Sequence, residues 1–200
     1  MTHEALLSLA AFAFVTSITP GPNNLMLMAS GANFGVRRTV PHMLGVALGF
    51  VAMVIIVGLG LAQLFSTVPM LYTVLKVLSV AYLLYLALRI ATANGMGDSR
   101  TSGRPMTFIE AALFQWVNPK AWTMALAAIA LYAPSQTFMA IALVAIVFGA
   151  VNLPSVSSWT VLGQQMKRFL TTGMRLKYFN WTMAALLVLS LIPSLQNPPA

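Results

Sequence analysis

Six long apolar segments constrain this chain more than any other feature. They cover residues 5–29, 40–65, 68–90, 108–132, 138–162 and 176–195. A helix that crosses a bilayer needs about 20 mostly apolar residues, so each segment is long enough to span. Only 7% of the 200 residues are charged, against about 25% in a soluble domain. The sequence therefore predicts an all-α polytopic membrane protein with six transmembrane helices, the first of them retained, and no separate soluble domain.

The positions of the cations indicate an orientation in the membrane. Nine of the 11 Lys and Arg residues lie at or in the first, third and fifth connections: Arg37, Arg38, Arg89, Arg100, Arg104, Lys167, Arg168, Arg175 and Lys177. The second and fourth connections and both tails hold none. Cytoplasmic loops are rich in Lys and Arg, so both termini are expected on the periplasmic or extracellular side. Cations scattered in this way form no continuous basic stripe, and no nucleic-acid partner is expected.

The other two cations, Lys76 and Lys120, lie inside apolar segments. A charged side chain in hydrocarbon is costly, so each lysine is a candidate for the functional site unless its ammonium reaches an interface. Tyr82 is two turns along the same predicted helix as Lys76. Glu110, at the inner end of the fourth segment, is the nearest carboxyl group. Lys76, Lys120 and Glu110 are therefore the candidates for proton coupling.

The first apolar segment is interrupted near its centre by Thr19-Pro-Gly-Pro-Asn-Asn24. Pro20 and Pro22 remove two backbone donors, and Gly21 between them weakens the helix further. The sequence therefore predicts a break, although a kink with a packing role alone is the alternative. Within a bilayer, the freed backbone groups are tolerated only where protein or water satisfies them, so the break should face the interior.

Two more segments carry similar interruptions, Asn118-Pro-Lys120 in the fourth and Asn152-Leu-Pro154 in the fifth. We therefore expect three helices to be broken near one depth. Half-helix ends at the midplane are typical of transporter substrate sites. The predicted substrate-binding residues are Pro20, Gly21, Pro22, Asn23, Asn24, Lys76, Tyr82, Asn118, Pro119, Lys120 and Asn152.

The two halves of the chain resemble each other. Pro20 and Pro119 mark the first span of each half, and Gly49 and Gly149 occupy corresponding places in the second. Three spans is an odd number, so the second half should enter the membrane in the opposite sense. The predicted organisation is one repeat over residues 1–92, a cytoplasmic linker over 93–107 and an inverted repeat over 108–200. In addition, Gly45-x-x-x-Gly49 predicts close packing between two helices.

The inventory of reactive side chains is poor. The acids are Glu4, Asp98 and Glu110, the histidines are His3 and His42, and cysteine is absent. The two histidines are predicted on opposite sides of the membrane, so they cannot ligate one haem. His42 is expected to have an interfacial or capping role. An enzyme needs convergent acid–base, nucleophilic or metal-binding groups, so neither an enzyme nor a metal or cofactor site is expected.

Four motifs occur in order along the chain: Thr19-Pro-Gly-Pro-Asn-Asn24, Gly35-Val-Arg-Arg38 with Gly45 and Gly49, Lys76 before Ala81-Tyr-Leu-Leu-Tyr85, and Phe114-Gln-Trp-Val-Asn-Pro-Lys120. Together they resemble the lysine exporter (LysE/RhtB) superfamily of amino-acid efflux proteins. The likeness covers nearly the whole chain and is strongest for the cysteine and O-acetylserine exporter branch. It implies a bacterial inner-membrane exporter driven by the proton gradient. Many relatives have an Asp where this chain has Asn23.

Three functions remain open at this point. The first is a secondary exporter of a small neutral zwitterion such as cysteine, O-acetylserine, threonine or homoserine, working by alternating access about a midplane site. Lysine is disfavoured as a substrate because Lys76 and Lys120 would repel a second ammonium. The others are an ion channel or inorganic-ion carrier, and a non-transporting membrane scaffold. A homodimer packed through the apolar outer faces is also open.

Overall fold

The computed structural model describes residues 1–61, 67, 70–93, 103–135, 137–170 and 172–192. Their helices are α1 (His3–Ile18), α2 (Pro22–Phe34), α3 (Val36–Ile56), α4 (Met70–Ala91), α5 (Phe108–Phe114), α6 (Pro119–Tyr132), α7 (Phe138–Met166) and α8 (Gly173–Leu189). A π-helical turn, Val57–Leu61, continues α3, and short 3₁₀ turns, Gln115–Val117 and Lys167–Phe169, continue α5 and α7. These residues contain no strand, which confirms the all-α prediction for this part of the chain.

Three helical segments are long and apolar enough to cross a membrane: Val36–Leu61, Thr73–Ala91 and Phe138–Phe169. The bent pair α1 and α2 makes a fourth if the two helices together form one span. The six-span inverted arrangement therefore stays a prediction. Helices α5, α6 and α8 have 7, 14 and 17 residues, each fewer than the roughly 20 that a straight span needs.

Two of the predicted helix breaks are confirmed. Between α1 and α2 the chain bends by 56°. Between α5 and α6 the helix ends at Val117 and restarts at Pro119. Pro22 and Pro119 each occupy the first position of the second half-helix, where a backbone N–H would have no partner within the helix. Both prolines therefore begin a helix and do not merely kink one.

The third predicted break is wrong, because α7 continues through Pro154. A single proline removes only one donor, and membrane helices tolerate this loss where side chains satisfy the backbone. The carbonyl that loses its donor is that of Ala150, and the hydroxyls of Ser155 and Ser157 donate to the nearby carbonyls of Val151 and Leu153, each at 2.7 Å. The apolar segment that starts at residue 40 also begins earlier as a helix than predicted, since α3 starts at Val36.

Glycines bring helix backbones into direct contact. A Cβ at Gly45 would lie 2.4 Å from the Phe108 carbonyl oxygen, and one at Gly49 would lie 2.5 Å from the Cα of Ala112. The predicted packing role of Gly45-x-x-x-Gly49 is thus confirmed, with α5 as the neighbouring helix. On the other side of the bundle, a Cβ at Gly31 of α2 would lie 2.1 Å from the Thr160 carbonyl oxygen of α7.

The buried side chains form two apolar cores rather than one. One core draws mainly on α2, α4, α5 and α8. The other draws on α1, α6, the second half of α3 and the first half of α7. Because α3 and α7 contribute different halves to each, the two cores lie at opposite ends of these helices. The helix breaks lie at the boundary between them.

Candidate functional site

A narrow, mostly polar cavity lies where the two broken helices meet α7. Its lining residues are Thr16, Ser17, Gly21, Asn23, Asn24, Phe50, Gln115, Asn118, Lys120, Ala121, Met124, Asn152 and Val156. Five of these carry a carboxamide side chain. Such amides donate and accept hydrogen bonds without a net charge, which suits recognition of a zwitterion.

Side chains from two other helices, α2 and α7, bond the last carbonyls of α1. Asn24 Nδ2 donates to the carbonyl oxygens of Ser17 and Thr19, each at 2.8 Å. Trp159 Nε1 of α7 donates to the carbonyl oxygen of Ile18 at 3.0 Å. The last carbonyls of a helix have no partners within the helix, so these contacts stabilise a break that would be costly in hydrocarbon.

Lys120 joins the second break to the first. Its Nζ lies 2.7 Å from the Thr19 carbonyl oxygen, 2.9 Å from Thr19 Oγ1 and 3.4 Å from the Pro20 carbonyl oxygen. An ammonium has three N–H groups, and the carboxyl end of a helix carries partial negative charge. Gly21 gives the lysine room, because a Cβ there would lie 2.7 Å from Lys120 Cδ.

The amino end of α2 faces this cavity without a side-chain cap. Gly21 precedes the helix and offers no side chain, whereas Thr107, Asn118 and Thr137 cap α5, α6 and α7. Uncapped backbone N–H groups at a helix N-terminus attract anions. This half-helix end can therefore accept a carboxylate.

The carboxamides around the cavity form a network with one vacant acceptor. Asn23 Nδ2 donates to Gln115 Oε1 at 2.8 Å, and Gln115 Nε2 donates back to Asn23 Oδ1 at 3.3 Å. Asn152 Nδ2 donates to Ser17 Oγ at 3.1 Å. Asn152 Oδ1 is buried and has no hydrogen-bond partner within the described part of the chain. A buried unsatisfied acceptor costs about 1–3 kcal/mol, and a donor on a ligand would remove that cost.

Comparison with known families shows what kind of protein carries this cavity. The family model described as "LysE type translocator" matches residues 14–190. The chain belongs to this family. It is therefore a membrane translocator, which confirms the resemblance and the expectation that the chain is not an enzyme.

Curated relatives of this LysE-type translocator are named "Cysteine/O-acetylserine efflux protein". The protein from Klebsiella pneumoniae subsp. pneumoniae is 28% identical over 194 residues, covering 94% of this chain and 95% of its own. Those from Salmonella paratyphi A and Escherichia coli K12 are 28% and 27% identical over 138 residues, covering 68% of this chain and 70% of their own. No solved structure matches the translocator.

The structure brings most of the predicted substrate-binding residues of the translocator together. Gly21, Asn23, Asn24, Asn118, Lys120 and Asn152 line the cavity. Pro20, Pro22 and Pro119 are their chain neighbours at the two breaks. The two breaks are held together by Lys120, which donates a hydrogen bond to the carbonyl oxygen of Thr19, 101 residues earlier in the chain. Their binding roles remain proposals.

Lys76 and Tyr82 do not line this cavity. Lys76 is half-buried on α4. The ring of Tyr82 packs 5.7 Å from that of Phe114 and 5.9 Å from that of Tyr85. Helix α4 of the translocator packs mainly against α8, and neither of these two predicted site residues is among those that line the cavity.

Glu110 lies in the first turn of α5 and stabilises the start of that helix. Its carboxylate accepts hydrogen bonds from both terminal nitrogens of the Arg104 guanidinium, at 2.5 and 2.7 Å, and from the backbone N–H of Thr107 at 2.8 Å. The Thr107 hydroxyl accepts the Glu110 backbone N–H, which completes a capping box. Glu110 thus begins α5 and does not line the cavity.

Sequence reasoning missed Gln115 and Ser17 as site residues. Gln115 is fully buried and donates to the Ala111 carbonyl oxygen at 2.8 Å as well as to Asn23. Gln115 is a polar residue between Phe114 and Trp116 in an apolar segment, so the sequence did mark it as a candidate site residue. Ser17 gave no such signal, since a serine in a helix usually bonds its own backbone.

Proposed function

We propose that this translocator is a secondary active exporter of small neutral amino acids or their close derivatives, such as cysteine, O-acetylserine, threonine or homoserine. The family and the names of the relatives support efflux of such a substrate. The unpartnered Asn152 Oδ1 in a carboxamide-lined cavity is the observation that carries the proposal. The absence of an Asp or Glu side chain from the cavity lining disfavours an inorganic cation as cargo.

Substrate binding uses the two ends of the zwitterion. Its carboxylate meets the uncapped N-terminus of α2, where Asn23 and Asn24 supply backbone N–H groups, and the ammonium of Lys120. Its amine donates to Asn152 Oδ1. The side chains of Asn23 and Asn118 orient the bound molecule. A second ammonium on the substrate would approach Lys120, so we expect lysine to be a poor substrate.

Alternating access depends on the contact between the two breaks. Lys120 is bonded to Thr19 and Pro20 across the cavity, and a bound carboxylate competes with those carbonyls for its ammonium. Release of this contact lets the two halves rock about the midplane as inverted repeats. Both termini lie outside the cell in the proposed orientation. The apolar outer faces of the helices are compatible with packing as a homodimer.

Proton coupling is proposed at Lys120, with Lys76 and Glu110 as the other candidates. Lys120 lines the cavity, so loss or gain of its proton changes the charge that the substrate meets. Lys76 lies outside the cavity on α4, and Glu110 is bonded to Arg104. Lys120 is therefore the group best placed to link proton movement to substrate binding.

The proposal is tested by export from proteoliposomes that hold the purified protein. Cysteine, O-acetylserine, threonine, homoserine, leucine and lysine are compared with and without an imposed proton gradient. Gradient-dependent movement of the small neutral substrates is expected. Ion conductance without amino-acid movement would indicate a channel or inorganic-ion carrier. If neither transport of any amino acid nor conductance of any ion is measured, the protein is a membrane scaffold.

Asn152→Leu should lower export of the preferred substrate at least about tenfold, because the buried acceptor for the amine is lost. The folded yield should be preserved, since leucine has a similar volume and removes an unsatisfied polar atom. Initial export rates in proteoliposomes measure the effect. Ser157→Ala is the control, because that hydroxyl bonds only its own helix at Leu153. Equal export by Asn152→Leu and wild type would contradict this binding geometry.

Glu110→Gln should leave proton-driven export within about twofold of wild type, because an exposed ion pair contributes about 0–1 kcal/mol. Glutamine also accepts the Thr107 N–H and so preserves the capping box. Export rates with and without a proton gradient measure the result. Loss of gradient dependence, with the substrate still exchanged, would instead identify Glu110 as the proton carrier.

A further inference from the structure

A second cavity lies toward the end of the bundle that holds the cation-rich connections. It is larger than the cavity at the helix breaks. It lies between α2, α3, α4 and the segment that precedes α5, and its polar lining includes Ser30, Asn33, His42, Arg89 and Arg104. In the proposed orientation this end faces the cytoplasm. The two cavities do not share a lining residue.

His42 is the most unusual group in this second cavity. Its side chain is 1% exposed, and neither ring nitrogen has a hydrogen-bond partner among the residues that the structure describes. At least one ring nitrogen carries a hydrogen in every protonation state. Buried polar groups in proteins are nearly always hydrogen-bonded, so an imidazole with two vacant nitrogens at a cavity wall points to a ligand.

The two arginines of the cavity differ in how their charge is compensated. Arg104 forms an ion pair with Glu110. Among the residues that the structure describes, no carboxylate pairs with Arg89. The Nη2 of Arg89 makes one long contact of 3.4 Å with the Arg104 carbonyl oxygen. A guanidinium has five N–H groups in a planar fork that matches a carboxylate, so Arg89 retains the donors for one.

One face of α2 connects this cavity to the site at the breaks. Asn23 lines the first cavity, while Met26, Ser30 and Asn33 line the second. These residues are three or four positions apart and so lie on the same side of the helix. Asn23 and Ser30 are seven residues apart, which is about 10 Å along the axis. Met26 lies between them, and its flexible unbranched side chain can move aside.

We infer that this second cavity is a loading site for the exported amino acid, in which Arg89 and His42 bind the substrate carboxylate before it moves along α2 to the helix breaks. The inference rests on the proposed export of small neutral amino acids. It adds a place where the substrate is captured from the cytoplasm. A carboxylate there accepts a hydrogen bond from an imidazole nitrogen that has no partner among the described residues, and it pairs with a guanidinium that no carboxylate of those residues pairs with.

The test compares the two faces of the membrane. Uptake of ³⁵S-cysteine is measured in sided proteoliposomes, with substrate supplied either at the face that carries the cationic loops or at the opposite face. Arg89→Gln and His42→Leu should each raise the KM at the cationic face about tenfold or more, the usual effect of losing a hydrogen bond to a charged group. The maximal rate from the cationic face and the KM at the opposite face should stay within about twofold. The maximal rate from the opposite face should fall by the factor by which the KM rises, because the driving force fixes the ratio of the two kcat/KM values.

Two controls make the result specific. Arg37→Gln removes a cation that is exposed and does not line the cavity, and its KM should be unchanged at both faces. Asn152→Leu should raise the KM at both faces, because both routes pass through the site at the breaks. If His42→Leu is unstable in detergent, Arg89→Gln carries the test, since Arg89 is only half-buried.

The outcomes separate the two proposals. Normal transport by wild type with an unchanged KM in Arg89→Gln would overturn the loading site and leave the exporter intact. An equal rise in KM at both faces would also overturn it. No transport of any small neutral amino acid by wild type would overturn the proposed function, and with it this inference.

Discussion

Gly31→Ala is expected to prevent the translocator from folding into a stable bundle. The added Cβ would lie 2.1 Å from the carbonyl oxygen and 2.9 Å from the carbonyl carbon of Thr160. Both atoms belong to the backbone of α7, so no side chain can turn away and α2 must separate from α7. Overpacking of a core costs about 1–3 kcal/mol and sometimes more, and a contact with rigid backbone belongs at or above the upper end. Thermal unfolding in detergent and the yield of monodisperse protein measure the loss.

Gly163→Ala and Gly173→Ala complete this experiment. A Cβ at Gly163 would lie 2.0 Å from the Met28 carbonyl oxygen, in the same contact between α2 and α7. This variant should fail as Gly31→Ala does. A Cβ at Gly173 meets nothing within 4 Å, so Gly173→Ala should leave stability unchanged or slightly raised. Wild-type stability in Gly31→Ala would show that α2 and α7 do not pack this closely.

Lys120→Gln should reduce export about 10- to 100-fold, the second large effect that we expect. The ammonium contacts the carbonyls of Thr19 and Pro20, and hydrogen bonds from a charged group contribute about 1.5–3 kcal/mol each. Glutamine removes the positive charge from the cavity and leaves the end of α1 with fewer donors. Export rates and equilibrium binding of labelled cysteine, both with purified protein, separate lost transport from lost binding.

Lys76→Gln is the matched control for Lys120→Gln. Lys76 is the other lysine within an apolar segment, but it lies on α4 outside the cavity. Its replacement should change export by no more than about threefold, since neither bound substrate nor the breaks lose a hydrogen bond to a charged group. If both variants export at the wild-type rate with the gradient still driving them, neither lysine couples protons to transport. A larger loss in Lys76→Gln than in Lys120→Gln would place the substrate site near α4.

The sequence was most informative at the helix breaks, where prolines disturb the backbone and polar side chains lie beside them. Pro-Gly-Pro at residues 20–22 removes two donors, and Asn118 directly before Pro119 can cap a new helix, so both breaks were predictable. Pro154 was misleading because an isolated proline removes only one hydrogen bond. The carboxamides at the breaks were also predictable as a group, because polar residues in an apolar span need internal partners.

The amino-acid sequence by itself indicated that the chain is helical and membrane-embedded and that three helices are interrupted, two of which are broken in the structure, since apolar length and proline act locally. Only the tertiary structure decided which polar groups meet. In the structure, Lys120 reaches the end of α1, Gln115 bonds Asn23, and Asn152 Oδ1 is left as a vacant acceptor. Lys76 lies outside the cavity. Contacts of this kind depend on how helices far apart in the chain pack, and glycines such as Gly31 set that packing through backbone contacts that no local pattern specifies.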